Sequence, residues 1–414
     1  MVDVRPFKGL RPKPVNAEKV ASPPYDVLSS EEACRLATEN PLSFLHVVKP
    51  EIDLPQGTDL YSDKVYNQGA TNLHRLINAG YMCRDSQPRY YLYRQIMGDH
   101  KQVGLVAVAS VTEYDDGIIK KHELTRKKKE DDRTRHIDTQ NAQSGPVFLT
   151  YKHSDRIDNV IEKAISEKPV VDFVAEDGVC HTLWIVNDIE IEESIREGFN
   201  GIDALYIADG HHRSASASRV RKNRMEKNPD HTGEEEYNFF LSVIFPDNQM
   251  KILDYNRIAK DLNGLSEEQF IEKISEKFDV EKAATEAYKP KKLHEFGMLL
   301  NGYWFRLQTK EGSFDLDDPV ASLDVAILQD NLLAPVLGIG DPRTDERIDF
   351  VGGIRGLGEL EKRVDTGEWK IAFALFPTGI DQLMAIADAG KTMPPKSTWF
   401  EPKLRSGMVV HLLD

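Results

Sequence analysis

Asp209-Gly210-His211-His212-Arg213 is the densest run of chemistry-bearing side chains in the sequence, and it lies between the apolar "LYIA" and the small-residue run "SASAS". An Asp-Gly pair makes a turn, and Ser214-Ala215-Ser216-Ala217 can begin a helix while letting backbone and ligand approach closely. The free N–H groups and positive end of such a helix would hold an anion, to which Arg213 adds a planar fork matched to phosphate or carboxylate. His211 and His212 supply donors whose charge changes near neutrality. The plainer alternative is a surface turn whose aspartate caps the helix and whose histidines are solvated. Zinc fits less well, because adjacent histidines point apart and neither HExxH nor HxH spacing occurs.

Two further stretches carry polar chemistry. In "KKHELTRKKKEDDRTRHID" (120–138) basic residues outnumber acids 8 to 4 over residues 120–135. A solvated loop would explain that charge, yet His122-Glu123-Leu124-Thr125 puts a general base beside a hydroxyl, just before the cations. A carboxylate next to bound phosphate is suited to taking a proton from an alcohol. In the tail, "MPPKSTWFEPKLRSG" (393–407), Lys396, Ser397, Thr398 and Lys403 offer donors beside Trp399, an arrangement that suits a carboxylate-bearing small molecule. Packing of Trp399 and Phe400 alone would explain the same stretch.

These residues need elements to position them. Runs rich in β-branched and aromatic residues predict strands at "RYYLYRQIM" and "QVGLVAVASV", joined as a hairpin, then at "PVFLTY", "HTLWIV", "ALYIA" and "FFLSVIF". Helices are expected over "SSEEACRLATEN" with Ser29 or Ser30 as N-cap, over "RIDNVIEKAISEK", and over "SASASRVRKNRMEK". "LSEEQFIEKISEKF" carries a Ser266/Gln269 capping box, with Phe270, Ile274 and Phe278 on one face. Near the end, "SLDVAILQDNLLAPV" reads as a helix stopped by Pro335, "KIAFALF" as a strand, and "IDQLMAIADAG" as a helix closed by Gly390. Strands and helices alternate without a strict βαβ rhythm, so the expected class is α+β with a mixed sheet. Two regions are expected, 1–245 carrying the HELT and DGHHR motifs and 246–414 whose tail completes the site. Residues 221–237 read as a mobile insertion or lid, and 341–353 as a charged loop or subunit contact.

Composition narrows the function classes. The chain has 414 residues, 53 Lys plus Arg against 68 Asp plus Glu, and a formal charge of −15. So acidic a body argues against nucleic acid as a partner, since phosphate backbones recruit Lys and Arg. Three cysteines without a CxxC pair give neither a disulfide framework nor a cysteine zinc site. With no apolar leader segment and no long apolar run, the expectation is a cytoplasmic protein away from the membrane. Oligomeric state is not readable.

Taken in order, "SPPYDV", "NPLSFLHV", "HELT", "SGPVFLTY", "YIADGHHR" and "PPKSTWFEPKLRSG" resemble a large family first catalogued as a domain of unknown function, some of whose members are free-serine kinases. The resemblance runs from about Phe7 to about Gly407. It implies a ParB/sulfiredoxin-like core in which a Gly-His-Arg turn at a helix start holds nucleotide phosphates. It also implies phosphoryl transfer from ATP or ADP, with Mg²⁺, to free L-serine, giving O-phospho-L-serine for cysteine synthesis. On that resemblance Glu123 is the catalytic base and Asp209 the acid that assists it. Gly210, His211, His212 and Arg213, with His122 and Thr125, hold phosphates; Ser397, Thr398, Trp399 and Lys403 hold serine. Metal ligands are left unassigned. Trp399 departs from a polar residue in the shorter kinases, which bears on the tail's contacts. No Walker or protein-kinase motif is present. A ParB-like nucleotide switch without catalysis is the alternative class; sulfiredoxin-like repair would need a cysteine where histidine stands.

Overall fold

The β-rich runs become strands of one sheet. In the computed structural model, which describes residues 2–283 and 286–414, the strands of this sheet are β1 (Val4–Arg5), β2 (Tyr91–Met97), β3 (His100–Ser110), β4 (Ile119–Lys120), β5 (Val147–Tyr151), β6 (Val171–Val174), β7 (Cys180–Ile185), β8 (Leu205–Asp209) and β9 (Phe239–Pro246). Their order is β4-β8-β5-β9-β3-β2-β7-β6, with β1 paired to the last residues of β3. β4 runs parallel to β8, and β5 to β9, while the other neighbours are antiparallel. The sheet is therefore mixed and the class α+β.

Among the described residues six helices of eight residues or more accompany it: α1 (Ser30–Ala37), α2 (Asp63–Asn78), α3 (Lys127–Gln140), α4 (Asp155–Ile165), α5 (Ile189–Asn200) and α6 (His211–Met225). α1 starts where expected, at N-cap Ser29, whose capping box closes with Glu32. The apolar faces of α4 and α5 bury Ile157, Ile161, Ile191, Ile195 and Phe199 in one cluster with Leu105, Leu149 and Ile207 of the strands. A second cluster joins Leu10, Ala33, Phe44, Leu73 and Leu76 to Val410 near the chain end.

Three expectations need correcting. The charged stretch 120–138, for which a solvated loop is one reading, stays irregular over 121–126 but is helical from Lys127 as α3, whose first residues are exposed while His136, Ile137 and Gln140 are buried. α6 begins at His211 and not at the serine-alanine run, so both histidines belong to its first turn. Phe278 does not extend the helical face of Phe270 and Ile274, because the chain has by then turned into a strand.

The chain divides into two compact units, Met1–Met250 with Pro402–Asp414, and Lys251–Glu401. The last segment joins the first unit through backbone bonds exchanged between Leu10 and Val410 and through pairing of His411-Leu412 with Ala142-Gln143. The second unit has a six-stranded antiparallel sheet of β10 (Tyr255–Ala259), β11 (Phe278–Lys282), β12 (Glu295–Leu300), β13 (Tyr303–Thr309), β14 (Ile348–Gly352) and β15 (Ile371–Ala374). Its order is β11-β13-β12-β15-β10-β14. With it go α7 (Glu267–Ile274), α8 (Leu357–Asp365), α9 (Ile380–Asp388) and a helical stretch Asp324–Leu328 that widens into a π turn at Gln329–Leu333 before Pro335.

Candidate active site

The parallel pairing of two short strands gathers the site. Ile119 and Lys120 of β4 lie beside Leu205 and Tyr206 of β8, so both chains leave the sheet in the same direction. The segment 122–125 therefore emerges next to Asp209 and the first turn of α6. A register shift between Ile207 and Asp209 bulges β8 against β5, and such a bulge re-aims the side chain at the strand end. Gly210 then turns the chain at φ 103°. A Cβ there would meet the Val147 Cα at 3.3 Å, so both conformation and space ask for glycine. No side chain caps α6 at its N-terminus, which leaves its first amide groups for other partners.

The histidines of this turn are bonded to the 122–126 segment. The His122 backbone N–H donates to His211 Nε2 at 3.4 Å, and the Arg126 N–H donates to His212 Nε2 at 3.0 Å. On its other side His211 Nδ1 lies 3.7 Å from Glu123 Oε2. The rings of His122 and His211 meet edge to face, 4.4 Å between centroids. Thr125 donates its hydroxyl to Glu130 at the start of α3. Burial pushes the His122 imidazole down to about 4 and holds His211 well below its ordinary value; His212 is lowered for the same reason. Burial thus works against the expected change of histidine charge near neutrality.

Charged groups at the turn are paired within the protein. Lys403 Nζ lies 3.1 Å from Asp209 Oδ2. Burial would raise the Asp209 carboxyl, but Lys403 and Arg213 outweigh it and hold Asp209 below the usual carboxylate range. Arg213 gives Nη1 to the Pro146 carbonyl at 2.7 Å and Nη2 to Asp26 Oδ2 at 2.6 Å. Its guanidinium stands 5.5 Å from the ring centroid of Tyr25, over which Arg133 also lies at 4.1 Å. Burial opposes the Arg213 charge, yet Asp26, Tyr25 and Asp209 reinforce it. Arg213 thus braces "SPPYDV" against the turn.

Of the expected residues, the first unit brings together His122, Glu123, Thr125, Asp209, Gly210, His211, His212, Arg213 and Lys403. Ser397, Thr398 and Trp399 belong to the second unit. There the Ser397 hydroxyl donates to the Pro394 carbonyl at 2.6 Å, and Trp399 gives its indole N–H to Glu401 at 2.7 Å while meeting Tyr255 edge-on. The sequence reading missed Gln95 and Gln102. Gln95, wholly buried, donates to the Lys403 carbonyl at 2.9 Å, and its own amide oxygen accepts from Gln102 at 3.1 Å. The one available signal was two glutamines inside largely apolar strands. Among the described residues no three His, Cys, Asp or Glu side chains converge on a metal position. The Asp209 carboxylate faces an ammonium, so the donors do not fit a protein-built Mg²⁺ cage. No helix of the described residues is long and apolar enough to cross a membrane.

Fold and site together define a two-unit α+β protein with an uncapped helix start beside a carboxylate. The chain belongs to the family described as "Protein of unknown function (DUF1015)", whose profile matches residues 4–326. No curated protein gives a match. Among solved structures, a free serine kinase in complex with AMP is 13% identical, with 71% of this chain and 86% of that one covered and a TM-score of 0.36. A conserved hypothetical protein from Pyrococcus furiosus is 15% identical, covering 71% and 90%, with a TM-score of 0.33. SbnI from Staphylococcus aureus, truncated at its C-terminus, is 9% identical, covering 73% and 85%, with a TM-score of 0.37.

Proposed function

We propose that this protein is a kinase that transfers a phosphoryl group from ATP or ADP to the hydroxyl of free L-serine. The observation that carries the reading is the Glu123 carboxylate beside the uncapped start of α6, 3.7 Å from His211. A general base is held where a helix N-terminus would receive phosphate. The ParB/sulfiredoxin-like character of the core, with its Gly-His-Arg phosphate turn, belongs to this reading.

In the reaction the serine hydroxyl gives its proton to Glu123 as its oxygen forms a bond to the terminal phosphorus. The P–O bond to the nucleotide breaks, and ADP leaves from ATP, or AMP from ADP. Amide groups of α6 and His212 take the transferring phosphate. Asp209 holds Lys403 where its ammonium can neutralise phosphate or carboxylate charge, and Arg213 fixes the turn. Positioning and electrostatics suffice for such a transfer, which asks little covalent chemistry of the protein. Mg²⁺ belongs to this reading as the counter-ion of the nucleotide phosphates. The product, O-phospho-L-serine, is a precursor suited to cysteine synthesis.

Phosphorus NMR of the protein with Mg²⁺, L-serine and either ATP or ADP tests this directly. A phosphomonoester signal that requires L-serine is expected, and it names the donor. No such signal with either nucleotide, where nucleotide binding is confirmed, would favour another acceptor or a nucleotide switch without catalysis.

A further inference from the structure

His211 carries a role that its place in a phosphate-binding turn hides. We infer that His211 is a positioning residue for Glu123: it presents a fixed Nδ1–H to the carboxylate and is not a charged phosphate donor. The inference rests on the reading of the reaction given above.

The tautomer follows from the hydrogen-bond geometry. The His122 backbone N–H is a donor only, and it points at His211 Nε2 over 3.4 Å. That nitrogen must therefore offer its lone pair, and in a neutral imidazole the hydrogen then sits on Nδ1. Nδ1 is the atom that lies 3.7 Å from Glu123 Oε2. A carboxylate accepts and cannot donate, so the tautomer fixed from one side suits the partner on the other.

Charge and burial favour the same arrangement. His211 is only 4% exposed, while Glu123 is exposed at the surface of the site. An imidazolium would turn a second N–H against the His122 amide. Burial is the largest influence and disfavours the cation, and His122, His212 and Lys121 oppose it as well, against Asp209 and the Glu123 carboxylate at 3.7 Å, which favour it. The His122 ring packs edge-on against His211, which restricts its rotation. The device is thus a neutral donor held by one backbone amide and one neighbouring ring. The separation of 3.7 Å is longer than a hydrogen bond, and catalytic contacts of this kind commonly shorten when substrate closes the site.

A donor to a carboxylate stabilises its ionised form. His211 would therefore keep Glu123 ready to accept a proton at lower pH, and it would fix which carboxylate oxygen faces the acceptor hydroxyl.

The test uses the full chain and two substitutions. His211→Asn keeps an N–H donor near the place of Nδ1, whereas His211→Leu removes it and fills similar space. For His211→Leu, kcat should fall about a hundredfold, the loss expected when a reacting group is misplaced by an ångström, with nucleotide Kd unchanged. The acid limb of kcat against pH should move to higher pH, and His211→Asn should recover most of the rate. Long-range proton–nitrogen NMR on histidine-labelled wild-type protein, assigned by the signal lost in His211→Asn, should show Nδ1 protonated and Nε2 bare. Weaker nucleotide binding in both variants, with an unmoved acid limb, would overturn the proposal in favour of direct phosphate contact. So would a wild-type spectrum with the hydrogen on Nε2. If His211→Leu fails to fold, the spectrum and the His211→Asn kinetics decide. If the wild type makes no phosphoserine, the kinase reading falls, whereas the tautomer and the nucleotide Kd of the variants still decide for or against this pairing.

Discussion

The two units differ at several of their buried charges, although the second also pairs its buried Glu295 with Arg306 at 3.0 Å. In the first, buried Arg213 meets Asp26 at 2.6 Å and partly buried Arg133 meets Asp132 at 2.8 Å, while Asp209 meets Lys403 at 3.1 Å. In the second, Arg257 is buried with carbonyls of Tyr255 and Lys396 as partners, and burial lowers it to about 10. There too Asp324 accepts the His294 N–H through Oδ1 but has no partner at Oδ2, and burial drives its carboxyl up to about 7. Paired charges on separate segments can exchange one partner for a ligand's charge. A lone buried carboxyl can only neutralise itself. That difference favours the first unit as the place where anions are handled.

The largest effect that would sharpen this contrast is on turnover. Glu123→Gln should lower the rate by about 10²- to 10⁴-fold, the contribution expected of a positioned general base, while nucleotide affinity measured by calorimetry stays close to that of wild type. Asp324→Asn, a comparable loss of a carboxylate in the second unit, should leave turnover unchanged. An active Glu123→Gln protein would remove Glu123 as the base and with it the contrast drawn between the units.

A smaller effect concerns stability. Asp26→Ala strips the Arg213 Nη2 of its carboxylate while the guanidinium remains buried. Removing one partner of a buried pair leaves an uncompensated charge, and since Asp26 is itself half-exposed the cost should be about 2 kcal/mol. Hydrogen exchange of the α6 amides should report it. Unchanged protection there would mean that Arg213 is held by the Pro146 carbonyl and the Tyr25 ring alone.

The second unit should show the converse, a dependence on pH. The folded-state Asp324 carboxyl stands near 7 against an ordinary value of 3.8, so the folded chain keeps a proton that the unfolded chain releases. The associated stability is complete below about pH 4 and is lost as pH rises through about 7. Asp324→Asn should flatten that slope and raise the relative stability of the second unit at pH 8, read as exchange protection in β12. A slope that survives the substitution would assign the titration to another group.

The sequence made the strands of the first sheet and the DGHHR turn legible because both are local: apolar runs of strand length, and a glycine with a helix after it. It could not reveal α3, whose exposed Lys127-Lys128-Lys129 start resembles a solvated loop and whose buried face, His136 and Ile137, appears only once α2 and α6 lie beside it. Phe278 fell on a helical period by coincidence, since the register of a helix and a strand start can agree over one turn. Of the site, the types of residue at 122–125 and 209–213 were readable, but their meeting depends on the parallel pairing of two-residue β4 with β8, too short to leave a pattern. Gln95 was beyond reach for another reason: its partner Lys403 lies 308 residues along the chain.

The smallest effect compares the units at a feature they share. α1 and α7 each have eight residues and each begins with a reciprocal capping box. Ser29 Oγ accepts the Glu32 N–H at 3.1 Å, and Ser266 Oγ accepts the Gln269 N–H at 3.3 Å. The return bonds from the serine N–H groups are 2.8 and 2.9 Å. Since the two caps satisfy the same orphan amides with the same geometry, Ser29→Ala and Ser266→Ala should each cost about 1 kcal/mol. Ser266 also donates to Glu268 at 2.9 Å, a bond that orders an exposed carboxylate and should add little. Exchange rates of the first-turn amides of α1 and α7 provide the measurement. Equal losses would mean that the units differ in their buried charges and not in how their helices start; a loss in α1 alone would mean that the box at Ser266 is redundant with the packing of Phe270 and Ile274.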